Sequence, residues 1–159
     1  MSILAVTGVQ VNDRDCTGEL LFVASPQVEF SWRIETDSPG SRQCGYQIVA
    51  TDADGRLLWD SGRVAGNACR GVPWRGAGLK SGDRVSFRIR VFDRTGNPSP
   101  FSVENAFAVA LQSPADWNGA RWIRFAGNCC AAAAPAPHFR REFTVGGGLR
   151  RAVLSITAR

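Results

Sequence analysis

The chain has 159 residues and a formal net charge of +5, with 44% hydrophobic and 21% charged residues. This balance is that of a globular domain and argues against disorder, and no apolar run approaches the ~20 residues of a membrane-spanning helix. A single histidine, His138, excludes most metal-site and catalytic-triad chemistry.

The first two thirds of the chain predict β-strands. Apolar residues take alternate positions over residues 28–35, 85–92 and, less regularly, 46–51. An alternation of period two buries one face of a strand and leaves the other face in water. Three such strands are typical of antiparallel sheets that have one solvated face.

Turn-forming residues separate these strands. Gly, Pro, Asn, Asp and Ser cluster at residues 38–40, 52–55, 80–83 and 95–98. Each of these residue types favours a tight turn. No stretch of ten or more residues has the 3.6-residue periodicity of a helix. Many short strands without helices predict a β-sandwich over residues 1–112, which is long enough to fold alone.

The composition changes after residue 112. Trp117 and Trp122 lie close together, and an alanine- and proline-rich stretch follows at residues 128–138. Prolines interrupt this stretch too often for a dependable helix. We therefore expect a linker in this part of the chain.

Two more strand-like segments occupy residues 138–145 and 152–157. Residues 146–148 are three glycines that join them, and the Lys-Ser/Thr ending of a phosphate loop is missing. Two strands cannot bury a core without help. Residues 113–159 are therefore expected to hold a linker and the start of an incomplete second β-sandwich.

The excess positive charge is confined to one end of the sequence. Residues 1–112 carry 12 basic and 12 acidic residues, whereas residues 113–159 carry seven arginines against Asp116 and Glu142. No aromatic platform or recognition helix accompanies these arginines, as nucleic-acid binding would require. We expect no nucleic-acid partner.

Five cysteines, Cys16, Cys44, Cys69, Cys129 and Cys130, lack the paired spacing of a zinc site. Free thiols in a reducing compartment explain them best. The N-terminal residues also lack the basic leader and long apolar core of a signal peptide. The expectation is a cytoplasmic protein without metal or cofactor.

No catalytic arrangement emerges from the sequence. The closest acidic pairs, Asp13 with Asp15 and Asp52 with Asp54, lie in turn-like polar segments, where solvated turn residues are the better interpretation than a glycosidase pair. His138 has no nucleophile motif near it, so neither a serine nor a cysteine nucleophile has an evident base. No catalytic residue is predicted.

The five tryptophans are predicted to be mainly structural. Trp32 is in register with the core residues of its strand. Trp59 and Trp74 flank turns, so a partly exposed ring there could stack on the apolar face of a sugar. Trp117 and Trp122 are expected to anchor the linker against neighbouring domains.

Residues 1–112 resemble an all-β, fibronectin type III/immunoglobulin-like antiparallel β-sandwich. Trp32 lies where that fold keeps an early-strand tryptophan, Tyr46 lies in the next strand, and residues 79–102 resemble its late hairpin. A tyrosine commonly closes the corner before the late strand in this fold. Val85 takes that position here, so the tyrosine hydrogen bond is expected to be absent or replaced.

A closer resemblance extends over nearly the whole chain, to the N-terminal region of bacterial α-L-rhamnosidases. The matching segments, in order, are residues 30–37, 46–52, 57–64, 79–102, 116–123, 139–145 and 149–158. The resemblance implies a second β-sandwich, an (α/α)₆ barrel with the catalytic carboxylates and a further β domain. It also implies hydrolysis of terminal α-L-rhamnose with inversion. No catalytic residue of that family has a matching position in this chain.

The leading hypothesis is a non-catalytic N-terminal portion of such a glycoside hydrolase. Its role would be to pack against the remaining domains, with Trp117, Trp122 and Ile123 as the packing residues. Unpaired strands in residues 113–159 also predict self-association.

The alternative hypothesis is a stand-alone module that binds carbohydrate or protein. Its surface would include Trp59 and Trp74, or the strand face that carries Arg88 and Arg90.

Overall fold

A computed structural model of the chain describes residues 4–16, 18–24, 27–124, 138–149 and 152–157. The chain divides into two compact units, Met1–Gln112 and Ser113–Arg159. Cys129, Cys130 and most of the alanine- and proline-rich stretch lie outside the described residues. Among those that are described, no helix has the length and apolar character needed to cross a membrane.

The first unit, called the sandwich below, consists of short strands. The ten strands assigned among the described residues are β1 (Leu4–Val11), β2 (Arg14–Asp15), β3 (Leu21–Val23), β4 (Glu29–Thr36), β5 (Gly45–Thr51), β6 (Leu57–Asp60), β7 (Val64–Ala65), β8 (Val72–Pro73), β9 (Arg84–Phe92) and β10 (Asn105–Val109). They form two sheets. One has the order β2-β1-β4-β8, and the other has the order β3-β10-β9-β5-β6, with β7 also paired to β5.

The predicted all-β sandwich is confirmed. Neighbouring strands pair antiparallel, except that β3 runs parallel to β10 with Ala108 opposite Phe22. The sequence pattern predicted antiparallel sheets, and this edge pair departs from it. Strand β3 has only three residues, too few for a sequence pattern to indicate whether it pairs parallel or antiparallel.

The alternating residues form the core, as predicted. Phe30 and Trp32 of β4 are 0% and 3% exposed, and Ile48 of β5 lies directly opposite Ile89 of β9, both fully buried. Ser31, which the pattern places on the wet face, is also buried, and its hydroxyl accepts the Gly71 N–H at 3.2 Å. Burial of one large apolar side chain contributes about 1.5–3 kcal/mol.

Strand β1 contains a bulge at Gly8. The pairing of β1 with β4 shifts register between Thr7 and Gln10, and Gly8 has a φ of 52°. A side chain at Gly8 would meet the Cδ of Arg33 at 3.3 Å, so glycine suits both the backbone and the space.

Two hairpin turns share one hydrogen-bonding pattern. The carboxylates of Asp52 and Asp93 each accept the backbone N–H groups two and four residues further on, at 2.8–2.9 Å. Gly55 and Gly96 supply the positive φ that each turn requires. Hydrogen bonds, first from the Thr95 hydroxyl, lower the pKa of Asp93. The predicted turns at these sites are confirmed.

The second unit contains one short helix and otherwise irregular backbone among its described residues. A 3₁₀ helix spans Pro114–Trp117, and the Ser113 N–H donates to Asp116 Oδ2 at 2.7 Å before it. Residues 138–145 and 152–157 form no strand, so that prediction is wrong for this structure. A strand is stabilised by its pairing partner and by a buried face, and apolar alternation supplies neither.

Exposed apolar side chains are frequent in this unit. Those described are Trp122, Ile123, Phe139, Phe143, Val145, Leu149, Val153, Leu154 and Ile156. Their exposed fractions range from 53% to 86%, so the described apolar side chains of these segments are not buried in a core.

Candidate functional site

The aromatic pair Trp59 and Trp74 is brought together over the core. Trp59 lies in β6 and Trp74 directly after β8, and their ring centroids are 5.2 Å apart with a 62° angle between the planes. Both rings also contact Phe30, at 6.1 and 6.3 Å. The Trp74 indole N–H donates to the Ala77 carbonyl at 2.9 Å. The two rings are half-buried and extend the core toward the surface.

Gly76 determines how closely this pair packs. A Cβ at Gly76 would lie 2.5 Å from Cζ2 of Trp74 and 2.7 Å from Cβ of Trp59. Any side chain at this position must displace the Trp74 ring, because such distances are far below van der Waals contact.

Gly76→Ala is expected to lower the free energy of unfolding by about 1–3 kcal/mol, the usual cost of overpacking. Near-ultraviolet circular dichroism should lose intensity, because the two indoles no longer hold a fixed geometry. Gly78→Ala is the matched control, since nothing lies within 4 Å of a Cβ there. Equal effects from both substitutions would contradict this role for Gly76.

A row of arginines and phenylalanines, called the arginine ladder below, crosses the outer face of the second sheet. Its order is Arg88, Phe101, Arg90, Phe92 and Arg63. The guanidinium carbons lie 5.3, 4.7, 5.4 and 4.9 Å from the successive ring centroids. Each interior member is therefore within cation–π distance of both neighbours.

Strand register and loop geometry build the ladder. Arg88, Arg90 and Phe92 belong to β9, whereas Phe101 comes from the segment before β10 and Arg63 from the segment before β7. The alternation of β9 showed only that Arg88 and Arg90 share the wet face. Phe101 and Arg63 lie in loops, whose paths the strand pattern does not indicate. Their position on this surface could therefore not be predicted from the sequence.

Polar contacts orient the middle of the ladder. Arg90 Nε donates to Gln47 Oε1 at 2.8 Å, and Gln47 Nε2 donates to Asp60 Oδ1 at 2.7 Å. Gln47 lies opposite Arg90 in the pairing of β5 with β9. The Gln47 side chain therefore links Arg90 to Asp60 at the edge of the sheet.

The remaining candidate residues are dispersed. Asp52 is engaged in its turn, and Asp13, Asp15 and Asp54 are exposed. His138 is exposed in the second unit. Within the described parts of the chain, no three or more His, Cys, Asp or Glu side chains are grouped as a metal site would require.

Cys16, the one buried thiol among the described residues, is poorly suited to nucleophilic chemistry. Cys16 is 7% exposed, and burial raises the pKa of its thiol to about 11. The thiol is therefore protonated at neutral pH, whereas nucleophilic cysteines need the thiolate. Cys44 and Cys69 are also free thiols.

The predicted packing residues lie beyond the sandwich. Trp117 is half-buried at the end of the 3₁₀ helix, whereas Trp122 and Ile123 are 65% and 69% exposed. Their contact with neighbouring domains stays a prediction, as does a sugar-binding role for Trp59 and Trp74.

The described residues of the first unit form an immunoglobulin-like β-sandwich whose surface carries the Trp59/Trp74 pair and the arginine ladder. The acidic side chains considered as catalytic candidates are not grouped. Residues 6–113 match the family described as the Rha78A-like, N-terminal immunoglobulin domain. The chain therefore belongs to the family of N-terminal immunoglobulin domains of Rha78A-like proteins.

Similar proteins agree with this assignment. An α-L-rhamnosidase of Streptomyces avermitilis is 33% identical over 135 residues, which are 74% of this chain and 12% of that protein. An α-L-rhamnosidase of an Alteromonas species is 28% identical over 87% of this chain and 16% of its own length. The chain thus spans less than a fifth of the length of each of these relatives.

The fold is likewise shared with solved rhamnosidase structures. The Streptomyces avermitilis α-L-rhamnosidase complexed with L-rhamnose superposes with a TM-score of 0.63 and 26% identity, over 72% of this chain and 11% of that one. The predicted resemblance to the N-terminal region of α-L-rhamnosidases is confirmed.

Proposed function

We propose that this chain serves as the non-catalytic N-terminal module of an α-L-rhamnosidase, which hydrolyses terminal α-L-rhamnose with inversion. One observation carries the proposal: the family match covers residues 6–113, yet the chain spans only 12% of the Streptomyces relative. The catalytic groups of such an enzyme therefore belong to other domains.

The proposed role of the module is to pack against those domains. Trp122 and Ile123, in the second unit, expose most of their surface, and an apolar surface of this kind is typical of an interface. Trp117 precedes them at the end of a short helix. Covering these side chains would contribute stability through burial of apolar area.

Residues 138–149 and 152–157 support a second part of the proposal. Their exposed apolar side chains would be covered in the larger enzyme by its next β domain, whereas the chain alone would bury them by self-association.

A cytoplasmic location is also proposed. Cys16, Cys44 and Cys69 are free thiols, as expected in a reducing compartment.

A chimera tests the packing role directly. Residues 4–157 would replace the matching region of the Streptomyces avermitilis α-L-rhamnosidase, and release of rhamnose from an aryl α-L-rhamnoside would be measured. We expect an active, monodisperse chimera, whereas the purified chain self-associates on size exclusion and releases no rhamnose. Combined Trp122→Ala and Ile123→Ala should lower the melting temperature of the chimera, because both side chains are exposed in the chain alone and buried at the interface.

Leu57→Ala provides the control. Leu57 is 64% exposed on the sandwich, so its truncation removes an exposed apolar side chain away from the proposed interface. Rhamnose release by the purified chain would refute the non-catalytic assignment. Equal melting temperatures for the double variant and the Leu57 control would refute the packing role.

A further inference from the structure

The arginine ladder carries an inference that is independent of the rhamnosidase assignment. We propose that it is a docking surface for an extended acidic segment of polypeptide. Three guanidinium groups, those of Arg63, Arg88 and Arg90, line one row on the outer face of the second sheet.

The charges of this row are unpaired within the part of the chain that the structure describes. The only ion pair found there joins Arg140 to Glu142, in the second unit. Arg63 and Arg88 are exposed, and each guanidinium lies over a phenylalanine ring. A guanidinium carries five N–H donors, and stacking on a ring occupies its face rather than its donor edge. The donor capacity of the row is therefore largely unused.

The phenylalanines keep the arginines in place before any partner arrives. Phe101 lies between Arg88 and Arg90, at 5.3 and 4.7 Å from their guanidinium carbons, and Gln47 fixes the Nε of Arg90. An arginine that is already held loses little side-chain freedom when it binds a carboxylate. The arrangement thus favours binding beyond what the charge alone would give.

Glycines shape the end of the ladder at Arg63. A Cβ at Gly96 would lie 3.2 Å from Nη1 of Arg63, and a Cβ at Gly45 would lie 3.6 Å from its Nε. The hairpin turn that Asp93 stabilises therefore packs directly against this guanidinium. Arg63 therefore lies against the backbone of this turn as well as over the Phe92 ring, whose centroid is 4.9 Å from its guanidinium carbon.

The spacing of the charges points to an extended chain. Arg88 and Arg90 are two residues apart on one face of β9, so their Cα atoms are about 6.5–7 Å apart. Carboxylates on alternate residues of an extended peptide repeat at the same distance, and each can accept two N–H bonds from one guanidinium. The partner is therefore a segment with Asp or Glu at every second position.

The test uses a fluorescent peptide of alternating Glu and Thr, and a second peptide with Gln in place of Glu. Fluorescence anisotropy with the 159-residue chain should show binding of the Glu peptide, at least about tenfold tighter than the Gln peptide and weaker with added salt. Combined Arg63→Gln and Arg88→Gln should weaken binding at least about tenfold, since two of the three charges are lost.

Two further variants separate the ladder from net charge. Arg33→Gln removes an exposed arginine from β4, on the opposite sheet, and should change affinity less than about twofold. Phe101→Leu keeps every charge but removes the ring between Arg88 and Arg90. It should still weaken binding, because the two guanidinium groups are no longer held. Thermal unfolding confirms that each variant is folded.

Several results would overturn the proposal. No binding of the Glu peptide, equal binding of the Gln peptide, or an equal loss with Arg33→Gln would each do so. Binding of an oligouronate without binding of the peptide would reassign the surface to an acidic saccharide. Self-association abolished by the Arg63/Arg88 double variant, without peptide binding, would reassign it to a second copy of this chain.

Discussion

Phe30→Ala is expected to lower the free energy of unfolding of the sandwich by about 3–5 kcal/mol. Phe30 is 0% exposed and lies between the two sheets. Its ring contacts those of Phe87 at 4.8 Å, Phe107 at 6.3 Å, Trp59 at 6.1 Å and Trp74 at 6.3 Å. Truncation would leave a cavity bounded by four large rings, which cannot all move inward to fill it.

Urea unfolding followed by far-ultraviolet circular dichroism measures this loss. A small domain has about 5–15 kcal/mol of stability, so the variant should unfold at a much lower urea concentration. Phe22→Ala is the matched control. Phe22 is 47% exposed in β3, and its truncation should cost less than about 1 kcal/mol. Similar losses from both variants would show that Phe30 is not the centre of the core.

The sequence predicted those strands of the fold in which one face is buried. Alternation over residues 28–35 and 85–92 identified β4 and β9 and their buried side chains, because burial imposes a period of two. The prediction of Trp32 as a core residue is also confirmed, at 3% exposure. Its indole N–H donates to Gln43 at 3.1 Å, a contact that no local pattern could show.

The sequence could not predict features that depend on pairing. Residues 138–145 and 152–157 are strand-like in sequence, yet neither segment forms a strand. The parallel pairing of β3 with β10 joins residues 86 positions apart, Leu21 with Phe107, and leaves no local trace. Alternation of apolar residues indicates which face of a strand could be buried. Whether the strand forms, and in which direction it pairs, depends on the neighbouring strand.

The candidate surface was predicted only in part. Arg88 and Arg90 were placed on one strand face by their two-residue spacing. Phe101 reaches that face because the segment after β9 turns back along it. Trp59 and Trp74 were named together as possible exposed rings, but their contact with each other and with Phe30 was not predicted. For the arginine ladder and for the Trp59/Trp74 pair, the sequence did not indicate the path of the loop that brings the residues together.

The missing tyrosine of the late strand leads to the second large prediction. Val85 is fully buried at the beginning of β9, so no hydroxyl is available at that position. Further along the same strand, a loop supplies hydroxyls instead. Ile89 N–H donates to Ser102 Oγ and Val91 N–H donates to Ser99 Oγ, each at 3.1 Å.

These two serines replace a neighbouring strand at this edge of β9. Pairing with β10 ends at Phe87, and beyond it the loop takes over. Ser102 N–H donates to the Ile89 carbonyl and Ser99 N–H donates to the Val91 carbonyl, each at 2.7 Å. Each serine therefore satisfies both backbone groups of one buried residue.

Ser99→Ala and Ser102→Ala are each expected to lower the free energy of unfolding by about 1–3 kcal/mol, because each leaves a buried N–H without an acceptor. The double variant should lose about 2–6 kcal/mol if the two costs add. Urea unfolding measures the loss, and hydrogen exchange should show faster exchange of the Ile89 and Val91 amides. Both residues are 0% exposed, so water cannot replace the missing oxygens without local opening.

Ser155→Ala controls for the loss of a serine hydroxyl. Ser155 is exposed in the second unit, and its substitution should leave stability and both amide exchange rates unchanged. Unchanged protection of Ile89 and Val91 in the double variant would contradict the argument, because the backbone carbonyl bonds alone would then be sufficient to hold the loop. Loss of protection confined to these two amides would show that the serines act as the edge partner of β9.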